Sequence, residues 1–287
     1  MKSKVSQEEL ASRMGNKLKG LLFKYGIVFV LLLISVVTVL INPVFMTSNN
    51  LLNVLRQACV AALLALAEGT LIISGGIDLA AGSSLALAGI IAIPVSVATN
   101  SIMAGMLAAI AVGILCSGIT GLLVAFVDMP PFVVTLALMM SKRGEIMVYT
   151  GGVVLTKTGD VFKTMGQGYV GPIPIPVIVM LVVTFIMWII LTRTRFGRNL
   201  FAIGGNKEAA RASGINIKRN IILSYILEGV LIGLAGYMYM SRVNAGVPTG
   251  GQTYEGTGIS GAIIGGVSFT GGVGSAWGML IGALIMA

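Results

Sequence analysis

Apolar runs long enough to cross a bilayer recur along the whole chain, separated by short polar stretches. A spanning helix needs about 20 mostly apolar residues. The windows 25–42, 58–74, 80–98, 102–127, 131–149, 174–192 and 220–240 meet or approach that length, and a glycine-dense apolar stretch runs from 256 to 287. The pattern predicts an all-α, polytopic helical bundle of roughly eight spans, residues 25–287, preceded by a polar segment at 1–24. Polar stretches of about 20 to 25 residues at most leave no room for a separate soluble domain.

Three places break the apolar pattern. ISGGIDLAAGSS (73–84) sets Gly75, Gly76, Asp78, Gly82 and two serines between apolar stretches, so the backbone is expected to unwind there. Irregular backbone at membrane depth is tolerated only where it is buried in protein or lines a wet cavity. In VDMPPFVVTL (127–136) the Pro130–Pro131 pair ends one helix and can open the next. VPTGGQTYEGTGISGAIIGG (247–266) joins a glycine-rich turn to Glu255 and faintly echoes the Asp78 region, which hints at two related halves of the kind found in transporters.

Composition agrees with a membrane bundle: 56% of residues are hydrophobic and 10% charged, against about 25% charged in soluble domains. The net charge of +9 would suggest an anionic partner in a soluble protein, but its placement points elsewhere. Lys2, Lys4, Arg13, Lys17, Lys19 and Lys24 precede the first span, and Arg193, Arg195, Arg198, Lys207, Arg211, Lys218 and Arg219 lie in the polar stretch 193–219. The positive-inside rule puts both segments in the cytoplasm. Six crossings between them return the chain to the same side, and the same parity puts 150–174 outside. The first apolar run lacks a small-x-small cleavage site and reads as a retained helix. Lys142 and Arg143 fall inside the fifth span, so either that span is shorter or the pair faces a polar cavity.

Much of the glycine has helical spacing. Gly113, Ser117 and Gly121, Gly229 with Gly233, Gly261 with Gly265, and Gly274, Gly278 and Gly282 form small-xxx-small ridges, which let helix backbones approach closely in lipid. Such ridges serve packing within one bundle, a subunit interface or a moving surface.

The chain has no histidine, which excludes a Ser-His-Asp triad, a Cys-His pair and the usual zinc sites. No GxxxxGK[ST] loop occurs, so nucleotide hydrolysis is not expected of this chain. Neither a cofactor nor a metal site is expected, and Cys59 and Cys116, both in apolar spans, read as buried inert thiols. What remains is transport or membrane structure. Ionisable residues inside spans mark pathways, and Glu68, Asp78, Arg143, Glu145 and Glu228 are candidates, each also explicable as a paired structural charge. Asp78 stands out for its unwound setting; with Gly76, Ser83, Glu68 and Arg143 it makes the candidate substrate-pathway set. So few intramembrane carboxylates argue against an ion-coupled carrier.

Within 193–219, Asn206 is a good helix N-cap, Glu208 and Arg211 suit the two ends of a helix dipole, and Gly214 is placed as the stop. The spacing predicts a two-turn helix over Lys207–Ser213, with Ala209 and Ala210 giving a slim surface. So short a helix is not stable alone. It must dock on its own membrane domain or on a cytoplasmic partner.

FGRNLFAIGGNKEAARASGIN resembles the cytoplasmic signature of permease subunits from ATP-binding-cassette sugar importers of the ribose, galactose and xylose type. The resemblance continues in GGIDLAAGS (75–83), PPFVVTLALMMSKRG (130–144) and GGVSFTGGVGSAWGMLIGALI (265–285), and spans most of the chain from about residue 45. It implies a multi-pass subunit of the bacterial inner membrane with a cytoplasmic N-terminus, embedded in lipid and not itself an enzyme. It pairs with a second permease subunit, receives a monosaccharide from an extracytoplasmic binding protein, and is driven by a separate cytoplasmic ATP-binding-cassette subunit; nucleic acid has no part in it. The stretch after the glycine pair is similar to the coupling helix of that family, which carries over to Gly204, Gly205, Asn206, Glu208, Ala209, Ala210, Arg211, Ser213 and Gly214. The family reads Tyr-Glu-Leu-Asp where this chain has Tyr254, Glu255, Gly256 and Thr257, and continues for one or two spans beyond GALIMA, so the C-terminus is expected to be incomplete. A nucleoside or branched-chain amino-acid permease and an ion-coupled carrier are the alternatives.

Overall fold

The computed structural model describes residues 26–287; the basic segment expected at 1–24 lies outside the described residues. Helix α1 (Gly26–Ile41) leads through a 3₁₀ turn (Pro43–Met46) into α2 (Ser48–Ile73), α3 (Ala81–Thr99), α4 (Ile102–Phe126) and α5 (Pro131–Thr150). A short α6 (Gly159–Gln167) and a two-residue hairpin, β1 (Tyr169–Val170) with β2 (Ile173–Pro174), precede α7 (Ile175–Arg193), α8 (Arg195–Gly205) and α9 (Lys207–Ala212). The long α10 (Ile217–Val243) is followed by α11 (Tyr254–Ile264) and α12 (Ala276–Met286).

The fold is an all-α membrane bundle. Among the described residues, α2, α3, α4, α7 and α10 are long and apolar enough to cross a bilayer, so the expected count of roughly eight is not reached by that measure. The stretch after 256 is not one span but two eleven-residue helices. At 1.5 Å per residue each covers only about half of a 30 Å hydrocarbon layer. Gly266, Gly271 and Gly272 between them all have φ near +80°, which folds α12 back on α11. Helix α5 carries Lys142, Arg143 and Glu145 and falls outside the five for that reason.

Helix α2 starts ten residues before the apolar window that announced it, because SNNLLNVLRQ is polar yet helical. From Ala58 to Ile73 it is buried on every side. Helix α10 packs against α2, α3 and α4, while α11 and α12 close over α2. The glycine ridges pair inside the chain. A methyl built on Gly229 would stand 2.8 Å from Ile114 Cα of α4, and one on Gly233 2.6 Å from Ile110 Cα. One on Gly282 would stand 2.6 Å from Gly265 N. In lipid, where apolar burial does not drive helices together, such backbone approach supplies the dispersion contact that does. Leu107, Leu115, Ile119 and Leu122 of α4 and Leu181, Val182, Phe185 and Ile186 of α7 face outward, as a lipid-facing surface requires. Cys59 and Cys116 are free and buried.

Two elements escaped the sequence reading. Helix α8 carries three glycines, and its buried Gly197, Leu200 and Ile203 recur at helical spacing. Helix α6 sits in the polar 150–174 stretch and holds to α10 through Gly166, whose N–H donates to Ser241 Oγ at 2.7 Å.

Candidate functional site

Two helix breaks meet inside the bundle. The first begins where α2 ends: Gly76 N–H and Ser74 Oγ both donate to Leu71 O, at 2.9 and 2.8 Å, and Gly75 takes φ +83°. That left-handed conformation is open to glycine and strained for side-chain-bearing residues. The backbone then runs unwound to Ala81. Asp78 N–H donates to Glu68 Oε2 at 3.3 Å, and Asp78 Oδ1 accepts from Ala80 N–H at 2.6 Å, closing an Asx turn that starts α3. Ser83 and Ser84 hydroxyls both donate to Ala80 O, at 2.8 and 2.9 Å.

The second break follows α10. Asn244 caps that helix at φ +55°, Gly251 and Thr253 both take φ +67°, and α11 opens with Glu255 in its first turn. The two breaks touch at Gly82, where an added methyl would overlap the Glu255 carboxylate and the Gly251 carbonyl oxygen. Helix α5 ties to both through adjacent residues. Lys142 Nζ donates to Ser84 Oγ at 2.7 Å, and Arg143 donates to Gly250 O at 2.6 Å. The two cations that sat awkwardly in the fifth span are thus staples between α5 and the breaks.

From α10, Tyr225 donates its hydroxyl to Ile77 O at 3.2 Å, and Glu228 enters fully buried one turn on. Glu68, Asp78 and Glu228 are all 0% exposed. Glu68 Oε1, Asp78 Oδ2, both Glu228 oxygens and Ser117 Oγ have no hydrogen-bond partner among the described residues. Orphaned polar atoms in a low-dielectric interior are costly.

Of the expected pathway residues, the structure brings Glu68, Asp78, Ser83 and Gly76 together and attaches Arg143 to the second break. Glu145 is not part of it: its carboxylate accepts from Ser141 on the exposed side of α5. Asp78 and Glu68 do not line an open cavity. A cavity of about 400 Å³ beside the first break is bordered by Ser74, Gly76, Asp128, Gly204, Asn206, Lys207 and Tyr225. Sequence reasoning passed over Tyr225; its spacing of three from Glu228 on one helix face was the available signal.

The expected coupling residues form a separate patch. Asn206 caps α9 by accepting from Ala209 N–H at 2.9 Å, and Gly214 at φ +80° ends it. Glu208 accepts from Arg211 at 3.0 Å across an exposed face that also carries Ala209 and Ser213. The two alanines separate: Ala209 is exposed, whereas Ala210 is buried against Ile203 and Ile217 of its own chain. Gly204 lies against the end of α2, and Gly205 has open space beside it.

A family profile described as branched-chain amino acid transport system / permease component matches residues 50–287. Among curated proteins, the ribose import permease protein RbsC of Escherichia coli (strain K12) is 40% identical over 266 residues, covering 91% of this chain and 82% of that one. The D-allose transport system permease protein AlsC of the same strain is 36% identical over 266 residues, covering 92% and 81%. The galactose/methyl galactoside import permease protein MglC of Salmonella typhimurium (strain LT2) is 32% identical over 279 residues, covering 91% and 83%. No solved structure matches the chain.

Proposed function

Because the chain belongs to the branched-chain amino acid transport system / permease component family, we propose that it is the membrane-spanning permease subunit of an ATP-driven importer whose cargo is a monosaccharide. The observation that carries the choice of cargo is the agreement among relatives: those named for ribose, allose and galactose each align along about nine-tenths of this chain. They share a neutral, polyhydroxylated substrate class, which favours sugar over the amino acid in the family's description and over a nucleoside.

In this reading the chain sits in the bacterial inner membrane with its N-terminal segment and the α8–α9 segment in the cytoplasm, supported by the thirteen basic residues concentrated there. A second permease subunit completes the pathway, an extracytoplasmic protein delivers the sugar, and an ATP-binding-cassette subunit docks on the exposed face of α9. Residues 25–287 form one transmembrane permease domain in this account, and Gly204 to Gly214 act as its coupling segment. Asp78 and Glu68 serve as a gate rather than as open-channel sugar ligands, since both are sealed from any cavity, while Gly76, Ser83 and Arg143 hold the two breaks in register.

The test is which sugar binds. Titration calorimetry of the solute-binding protein encoded beside this chain with D-ribose, D-allose, D-galactose and leucine should give tight binding to one of the sugars. Tight binding of leucine alone would move the assignment to amino-acid import.

A further inference from the structure

Beside the coupling segment, three stretches of chain meet backbone to backbone. Ile73, the last residue of α2, accepts at its carbonyl oxygen from Gly272 N–H at 2.9 Å. Gly272 lies in the loop between α11 and α12 at φ +73°. A methyl built on it would stand 2.9 Å from both Gly205 Cα and Gly205 N. Gly204, at the end of α8, closes the junction: its added methyl would overlap Ile73 O and stand 2.6 Å from Gly272 N. No side chain intervenes. Side chains absorb a push by changing rotamer, whereas close-packed backbone passes the displacement on.

The position of the junction is what gives it a use. On one side the next residue after Gly205 is Asn206, the cap of α9. On the other, Ile73 is followed directly by the unwound segment that carries Asp78. The 400 Å³ cavity bordered by Gly75, Gly76, Gly204 and Asn206 leaves room for the junction to shift.

We propose that Gly272 is a positioning residue joining the α8–α9 segment to the end of α2, so that a displacement of α9 moves the first helix break and the carboxylate cluster behind it. This rests on the importer reading above and adds a connection from the α11–α12 loop.

The same loop supplies the control. Gly266 has φ +86°, so alanine there carries comparable backbone strain, yet nothing lies within 4 Å of the added methyl. The assay uses the whole transporter in nanodiscs, this chain with its ATPase subunit and solute-binding protein, and reads ATP hydrolysis with and without binding protein loaded with D-ribose, D-allose or D-galactose. Gly272→Ala should lower the ratio of stimulated to unstimulated hydrolysis at least tenfold, while Gly266→Ala keeps that ratio within about twofold of wild type. Gly272→Asn, whose residue type tolerates positive φ but still presses on Gly205, should show the same loss and so separate contact from strain. An intact ratio in Gly272→Ala, or an equal loss in Gly266→Ala, would overturn the proposal. Absence of stimulation in the wild type by all three sugars would instead remove the sugar-importer reading beneath it, and the proposal with it.

Discussion

Lys142 and Ser84 lie 58 positions apart in the chain, and the ammonium nitrogen of one meets the hydroxyl oxygen of the other at 2.7 Å. Ser84 also bonds Ala80 O, and Ala80 N–H bonds Asp78, so the cation on α5 is one residue removed from the buried carboxylate turn. Its neighbour Arg143 does the corresponding work on Gly250. Helix α5 is therefore fastened to both interruptions of the bundle by consecutive residues.

Removing that cation leaves the buried Asp78 turn with less to offset its carboxylate. Lys142→Met, which keeps length and removes the donor to Ser84, is expected to cost about 1–3 kcal/mol, read as a lowered unfolding midpoint in detergent. Adding Asp78→Asn should recover part of the loss. Purely additive effects of the two substitutions would show that Lys142 and Asp78 act independently.

Asp78→Asn alone retains an oxygen that can accept from Ala80 N–H, so the Asx turn survives, whereas Asp78→Leu abandons that buried donor at a cost of about 1–3 kcal/mol. Uptake should fall more than tenfold in Asp78→Asn at normal expression if the charge belongs to the gate. Unchanged uptake and unchanged stability would make Asp78 a bystander.

Glycines of α4 and α10 on and off their shared ridge make a contrast. Gly229→Ala places a methyl 2.8 Å from the Gly113 carbonyl carbon and should destabilise by about 1–3 kcal/mol. Gly118→Ala, with nothing within 4 Å, should be neutral or slightly stabilising. Thermal unfolding of the two variants side by side checks this, and equal effects would contradict it.

Adjacent alanines in α9 should fail in different ways. Ala210→Trp overpacks the cluster with Ile203 and Ile217 and is expected to cost about 1–3 kcal/mol of local stability. Ala209→Trp projects from the exposed face, leaves unfolding unchanged, and should abolish sugar-stimulated ATP hydrolysis. Normal stimulation in Ala209→Trp would return α9 to the role of an internal prop.

What was legible in the sequence follows from the range over which each signal acts. The unwound GGID segment, the Pro130–Pro131 boundary and the Asn206 cap are set by residues within a turn of themselves, and all three appear where the residue pattern placed them. The meeting of the two breaks at Gly82 and the reach of Lys142 to Ser84 depend on residues 58 to more than 160 positions apart, which no local pattern encodes. Hydropathy also read the C-terminal end as one continuous apolar stretch. Gly265, Gly266, Gly271 and Gly272 scarcely lower the apolarity of that stretch, yet their backbone freedom folds it into two short helices.

The central claim, that this chain moves a sugar with energy from a separate ATPase, is tested most directly by uptake into proteoliposomes holding the permease, its ATPase subunit and the sugar-loaded binding protein. Uptake of labelled sugar should require ATP on the ATPase side, persist when an ionophore collapses every ion gradient, and stop when the ATPase subunit is inactivated. Uptake that vanished with the ionophore and ignored the state of the ATPase would contradict the account and identify an ion-coupled carrier.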